Sequence, residues 1–169
     1  SALSFVNKAP ASFNQEKLIW LNQEYIKSSS IKHLLENLAW HLENQSVDVS
    51  NGPAIETVVE HLQERSKTLI EMVDGLKMFY QDFDKFDEKL SAKQFKHSQA
   101  IGLLLTKLSA LDDWTATNIK EQIKQVCDEL DIGFGKIGQP FRLALSGNGN
   151  AGNIDVVAQL VGKYRTLRR

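Results

Sequence analysis

The sequence contains few cysteine and proline residues and no long hydrophobic segment. Its 169 residues include one cysteine and three prolines. The single cysteine, Cys127, excludes an internal disulfide and a multi-cysteine metal site, and it is typical of a protein from a reducing compartment. No stretch approaches the roughly 20 apolar residues of a transmembrane helix, and no charged-then-apolar leader opens the chain. We therefore expect a cytoplasmic protein without membrane contact.

Composition nevertheless supports a folded protein. The chain is 42% hydrophobic and 24% charged, with a formal net charge of -1. These values predict one compact soluble unit or two small packed ones, and they argue against a disordered segment. The first residue is serine rather than methionine, so we expect a piece of a longer protein.

Charge is distributed unevenly along the chain. Residues 133–169 carry six cations and one acid, Asp155, and residues 132–154 contain no aspartate or glutamate. Such a stretch can approach a polyanion without internal neutralisation. Two interpretations remain open at this point: a nucleic-acid-binding end, or a basic tail that only solubilises the protein.

Apolar residues recur at helical spacing throughout, and no alternating strand pattern appears. One helix is predicted from Gln15 to about Ser28 and a second from Ile31 through Leu42. A third is predicted to follow, with Pro53 in its first turn. Further helices are expected after three capping signals, at Thr68, Ser91 and Thr115. The predicted class is all-α.

The last third is richer in glycine. Glycines 133, 135 and 138 predict a loose segment before a short helix at residues 139–145, followed by a Gly/Asn loop. Asn153 is expected to cap one final helix that ends with the basic residues. The charged segment 81–90 predicts a boundary between two helical subdomains, residues 1–83 and 84–169.

Catalytic constellations are missing from the sequence. It has no Walker loop, dinucleotide fingerprint, nucleophile elbow or HExxH motif. The four histidines, His33, His41, His61 and His97, lack metal-ligand spacing. We therefore predict no catalytic residue, no metal site and no cofactor in this chain.

Three ordered stretches carry a family resemblance. They are KAPASF at 8–13 with KLIWLNQEYI at 17–26, then GQPFRLALSG at 138–147, then LVGKYRTL at 160–167. Together they resemble the C-terminal anticodon-binding domain of bacterial glutamyl-tRNA synthetase, a class I aminoacyl-tRNA synthetase. The resemblance spans essentially the whole chain.

The resemblance implies a role in translation as part of a glutamate–tRNA ligase. The family attaches glutamate to glutamate tRNA with ATP and magnesium, in a catalytic domain of the same polypeptide that this sequence lacks. The chain should therefore bind glutamate tRNA without charging it, and should discriminate against glutamine tRNA. No cofactor is expected in the fragment itself.

Carried over by residue, the resemblance assigns Arg65 to the third anticodon base. No carboxylate lies three or four residues from Arg65 in sequence. A guanidinium only donates hydrogen bonds, so it suits cytosine and opposes guanine. From the residues alone, one alternative stays open, in which Arg65 has a structural role and bonds to a helix C-terminus or to a distant acid.

The remaining candidates also follow from the resemblance. Arg142 is assigned to the first anticodon base or its phosphate, with backbone groups from Ala151 to Ile154 helping. Relatives usually have a proline-bearing loop where this chain has Gly, Asn and Ala at 149–152. Lys17 and Trp20 are expected to contact the anticodon stem-loop, although core packing of Trp20 stays open. Lys163 and Arg165 are expected to reach phosphates.

A second function class remains compatible with the sequence. A helical protein-interaction module with an incidental basic end would show the same periodicity and charge distribution. Salt dependence of tRNA binding separates the two, because phosphate contacts weaken as salt rises.

Overall fold

The computed structural model describes residues 14–82, 98–147 and 152–169, and these residues contain helices and no strand. The all-α prediction is confirmed. In chain order the helices are α1 (Gln15–Ser28), α2 (Ile31–Asn44), α3 (Ile55–Gln63), α4 (Leu69–Tyr80), α5 (Ser98–Ser109), α6 (Ala116–Leu130), α7 (Phe134–Ser146), α8 (Ile154–Val161) and α9 (Lys163–Arg168).

Several helices begin where a side chain satisfies a free backbone N–H. Thr68 accepts a hydrogen bond from the backbone N–H of Glu71 at 3.0 Å, and Thr115 accepts one from Asn118 at 3.1 Å. Both starts were predicted from the sequence and are confirmed. The start predicted at Ser91 lies outside the described residues, as does the Gly/Asn loop between 148 and 151.

Two predicted helix starts are wrong. Pro53 lies before α3 rather than in its first turn, because Ala54 is the N-cap and the helix begins at Ile55. The segment around glycines 135 and 138 is helical, since α7 begins at Phe134 and includes Pro140. Burial of Ile137, Phe141 and Leu145 along one face explains why helix wins there over glycine flexibility.

The prediction of a single final helix is also wrong. The helical segment is divided at Gly162, which has a φ of +92° and separates α8 from α9. A Cβ at Gly162 would meet nothing within 4 Å. The glycine therefore permits a backbone turn rather than a close approach of two helices.

The helices pack as two groups around a connected apolar core. One group comprises α2, α3 and α4, the other comprises α5 to α9, and α8 also contacts α4. Buried side chains from both groups, including Leu38, Leu76, Ile123 and Val157, belong to one cluster. The predicted boundary between residues 83 and 84 adjoins a segment outside the described residues, so that division stays a prediction.

Helix α1 contributes little to this core. Of its apolar side chains only Ile26 is buried, whereas Leu18, Leu21 and Tyr25 are 41%, 48% and 51% exposed. The amide of Gln63 holds the C-terminal end of α1 by donating to the carbonyls of Ile26 at 2.8 Å and Ser29 at 2.7 Å. Over the ranges covered by the structure, no helix has the length and apolar character needed to cross a bilayer.

Candidate nucleic-acid interface

Two arginines that are distant in sequence converge on one glycine. Arg142 donates a hydrogen bond from Nε to the carbonyl oxygen of Gly152 at 3.2 Å. Arg65 lies against the same residue, because a Cβ built on Gly152 would be 2.7 Å from Nε and 2.9 Å from Cζ of Arg65. The structure thus places both predicted guanidinium groups at the start of α8, on a shared surface.

Local structure fixes the position of Arg65. It lies in the short turn between α3 and α4, and its backbone N–H donates to the carbonyl of Leu62 at 3.0 Å. The next residue, Ser66, is buried and donates its hydroxyl to the same carbonyl at 2.9 Å. Because Thr68 then caps α4, the turn is held at both ends while the Arg65 side chain stays exposed.

Arg142 is positioned by the packing of α7. Its neighbours Phe141 and Leu143 are buried, whereas Arg142 is only partly buried. The helix ends at Gly147, whose φ of +78° is a left-handed conformation that glycine adopts readily. The next described residue, Gly152, lies within hydrogen-bonding distance of Arg142.

Neither arginine is neutralised by an acid in the part of the chain that the structure describes. The ion pairs found there join Lys77 to Asp74, Lys107 to Glu129, and Arg168 to Asp82. The charges of Arg65 and Arg142 therefore remain available to an anion.

A groove of about 370 Å³ lies beside Arg142. Its lining combines cationic, aromatic and polar side chains with the first turn of α8: Lys120, Ile123, Phe134, Arg142, Asn153, Ile154 and Asp155. The predicted residue Ile154 also lines this groove, but the residue as a whole, backbone included, is only 2% exposed. The backbone contact expected for Ile154 therefore stays a prediction. Ala151 lies outside the described residues.

Sequence reasoning missed two groove residues, Lys120 and Phe134. The Phe134 ring is 48% exposed, which is high for a large aromatic side chain. It was overlooked because the glycines around it suggested a loop. Lys120 follows the buried Ile119 on α6. The sequence around Lys120 does not indicate that α7 and α8 lie nearby, so it could not be assigned to the groove.

Lys17 and Trp20 lie on helix α1. Both are exposed on α1, and the Trp20 side chain is 56% exposed. Core packing of Trp20 within the described residues is therefore wrong. At about 1.5 Å per residue, Trp20 and Lys17 lie roughly 9 and 14 Å along the helix from the end that Gln63 holds. Among the described residues, no hydrogen bond or ion pair joins their side chains to Arg65 or Arg142.

Lys163 and Arg165 have structural partners. The Lys163 ammonium donates to the carbonyl of Leu111. Arg165 donates from Nη1 to the carbonyl of Phe79 at 2.8 Å, in the last turn of α4. A cation at this position also complements the helix dipole. The phosphate contacts expected for these residues stay a prediction.

No described group of three or more histidine, cysteine or carboxylate side chains could hold a metal ion. The groove beside Arg142 instead combines hydrogen-bond donors, two cations, the exposed residue Phe134 and one carboxylate, Asp155. Such a set suits an anionic ligand with flat polar bases.

Comparison with known proteins agrees with this chemistry. A family model described as an anticodon binding domain matches residues 33–169. The chain belongs to this family. The match includes both converging arginines and the groove, whereas Lys17 and Trp20 precede it.

This anticodon-binding domain is similar to two curated proteins named glutamate–tRNA ligase. They come from Ruthia magnifica subsp. Calyptogena magnifica and Vesicomyosocius okutanii subsp. Calyptogena okutanii. Each is 60% identical over 167 residues, covering 99% of this chain. The chain spans only 37% of the length of either relative.

Solved structures give a consistent picture. A glutamate tRNA ligase from Elizabethkingia meningosepticum in complex with its amino acid superposes with a TM-score of 0.77 at 28% identity, over 92% of this chain and 31% of that one. The glutamate-tRNA synthetase of Elizabethkingia anophelis gives 0.72 at 26% identity, over 92% and 30%. The resemblance drawn from the three sequence stretches is confirmed.

Proposed function

We propose that this anticodon-binding domain recognises the anticodon of glutamate tRNA as part of a glutamate–tRNA ligase. The observation that carries the proposal is the convergence of Arg65 and Arg142 on Gly152 without an acidic partner among the described residues. The names of the relatives support the choice of tRNA. Two unpaired cations on one surface fit a loop of splayed bases between phosphates.

Arg65 supplies the discrimination in this proposal. The third anticodon base is C in glutamate tRNA and G in glutamine tRNA. Cytosine offers O2 and N3 as acceptors to a guanidinium, whereas guanine presents N1–H and N2–H donors on its pairing edge. Because arginine has no acceptor, it stabilises cytosine and leaves the guanine donors unpaired.

Arg142 and the neighbouring groove take the first anticodon base or its phosphate. Arg142 supplies charge, and the exposed ring of Phe134 offers a stacking surface. Lys120 adds a second cation to the groove lining, which also includes the Asp155 carboxylate. In this proposal the cations of Arg142 and Lys120 take a phosphate, and the Asp155 carboxylate accepts a hydrogen bond from a donor on a base edge.

Other activities are assigned to the rest of the ligase. We infer that ATP, magnesium and glutamate are handled by the part of the polypeptide that this sequence lacks, and that the full-length protein is cytoplasmic. The division into subdomains 1–83 and 84–169 is retained in this proposal. It places Arg65 in the first subdomain and Arg142 in the second, so anticodon recognition occurs where the two meet.

A binding titration tests the proposal. Fluorescently labelled glutamate tRNA is titrated with the chain, and so is a variant tRNA whose third anticodon base is changed from C to G. We expect weaker binding of the G variant. Arg65→Gln should narrow the difference by about 1 to 3 kcal/mol, the scale of one good arginine–base contact.

Lys67→Gln is the matched control. Lys67 lies in the same turn as Arg65 and is exposed, so its loss removes the same charge. We expect lower affinity for both tRNAs with the discrimination unchanged. Equal binding of the C and G tRNAs by the unmodified chain would refute the assignment of Arg65.

Repeating the titration at two salt concentrations tests the class of function. Binding through phosphates must weaken as salt rises. Absence of binding at low salt, or affinity that salt does not change, would favour the helical protein-interaction module instead.

A further inference from the structure

We infer that Gly152 is a positioning residue that orients both anticodon-facing arginines at once. The inference rests on the proposed function for its biological role, whereas the contacts between Gly152 and the two arginines are present without any ligand. It concerns the residue whose carbonyl and missing side chain face the two arginines.

The carbonyl group of Gly152 orients Arg142. A guanidinium carries five N–H donors in a rigid plane, and the Nε–H of Arg142 is committed to this carbonyl at 3.2 Å. Fixing Nε sets the direction of the plane and leaves the terminal Nη groups to face a ligand. Preorganised donors bind more tightly because less side-chain entropy is lost on binding.

The missing side chain of Gly152 provides the space for Arg65. A Cβ at this position would lie 2.7 Å from Nε, 2.9 Å from Cζ and 3.2 Å from Cδ of Arg65. Contacts this short require a shift, and because Nε and Cζ belong to the end of a flexible, exposed side chain, a Cβ here would displace the Arg65 guanidinium from its present position. Gly152 also has a φ of +87°, which residues with a Cβ adopt at a cost.

These two contacts couple the arginines to each other. A shift of the Gly152 backbone moves the acceptor of Arg142 and the wall beside Arg65 together. One substitution at Gly152 should therefore alter recognition at both the first and the third anticodon base, although residue 152 has no side chain that contacts RNA.

Gly152→Ala tests the inference, and Gly162→Ala is its matched control. Gly162 has a similar φ of +92°, but a Cβ there would meet nothing within 4 Å. Both substitutions place a Cβ on a residue with positive φ, and only the first crowds an arginine. The readouts are unfolding midpoints, binding of anticodon stem-loop RNAs that differ at the first or third base, and NMR signals of the arginine Nε–H groups.

We expect Gly152→Ala to reduce the preference for C over G at the third base by about tenfold, the scale of one arginine–base contact. It should also weaken selection at the first base, whereas Gly162→Ala preserves both. In an Arg65→Gln background, Gly152→Ala should have no further effect on the third-base preference. Without RNA, the Nε–H signals of Arg65 and Arg142 should both move in Gly152→Ala only.

Arg142→Lys provides a second variant that leaves residue 152 itself unsubstituted. Lysine keeps the charge but lacks the Nε–H that bonds to Gly152, so we expect altered first-base selection with the charge retained. If Gly152→Ala changes neither the base preferences nor the arginine signals, the inference about Gly152 is overturned and the proposed function is not affected. Failure of the unmodified chain to bind RNA would refute the proposed function, and the arginine signals of the free protein would still decide the role of Gly152.

Discussion

Arg165→Met should destabilise the fold, whereas Arg168→Met on the same short helix should not. Arg165 donates to the buried end of α4, with 2.8 Å from Nη1 to the Phe79 carbonyl and longer contacts of 3.4 and 3.5 Å from Nη2 to the carbonyls of Tyr80 and Asn51. Arg168 instead pairs with the exposed Asp82 and lies over the Tyr164 ring, 5.6 Å from its centroid. Exposed pairs of this kind contribute little to stability.

The size of the effect follows from the geometry. One short charged hydrogen bond contributes about 1.5 to 3 kcal/mol, while the two longer contacts are weak. Methionine retains most of the apolar stem, and partial hydration of the carbonyls offsets some of the loss. We therefore expect Arg165→Met to lower the unfolding free energy by about 2 kcal/mol, or roughly 4 to 8 °C in Tm for a chain of this size.

Urea unfolding followed by circular dichroism measures both variants under the same conditions. The account predicts a lower midpoint for Arg165→Met and an unchanged midpoint for Arg168→Met. Equal midpoints for the two variants would show that the Arg165 hydrogen bonds do not stabilise the fold. That outcome would favour the alternative role of Arg165 as a phosphate contact.

Three further predictions concern individual residues. Thr115→Ala removes the cap of α6 and should lower the unfolding free energy by about 1 kcal/mol in the same urea assay; no change would contradict the cap. Gln63→Leu removes the donor to the carbonyls at the C-terminal end of α1, so amide hydrogen exchange should accelerate more in α1 than in any other described helix. An equal change of the exchange rate in all described helices would contradict this. Burial, with a smaller contribution from the Glu56 carboxylate, raises the pKa of Tyr80 from 10.0 to about 12. The unfolding free energy should therefore fall as pH rises from about 10 to about 12, and Tyr80→Phe should remove that part of the decline; an identical pH profile in Tyr80→Phe would contradict the shift.

Helix starts that depend on local chemistry could be predicted from the sequence. A threonine before an apolar periodic segment satisfies a backbone donor within its own turn, so Thr68 and Thr115 identified α4 and α6 without tertiary information. The start of α7 could not be predicted in this way. Its glycines favour a loop locally, and burial of Ile137 and Phe141 against other helices overrides that preference.

The exposure of the apolar side chains of α1 also could not be predicted from their spacing. The spacing of Leu18, Leu21 and Tyr25 correctly indicated a helix with an apolar stripe. Periodicity shows which side chains favour burial, but it does not show which element covers them. In the described residues these side chains remain exposed.

The candidate site was predicted residue by residue but not as an arrangement. The absence of nearby acids marked Arg65 and Arg142 as available cations, and the family resemblance gave them roles. Their convergence on Gly152 depends on the packing of α8 against α4 and α7, which no local pattern encodes. The same long-range packing gave Lys163 and Arg165 carbonyl partners that the sequence did not suggest.

The central claim is that Arg65 and Arg142 form one RNA-binding surface. The most direct measurement follows the arginine Nε–H signals of the isotope-labelled chain while an anticodon stem-loop RNA with C at the third position is added. The account predicts that the signals of Arg65 and Arg142 move together and saturate at the same RNA concentration, while the signal of Arg168 stays in place. Saturable RNA binding that leaves the Arg65 and Arg142 signals unmoved would contradict it.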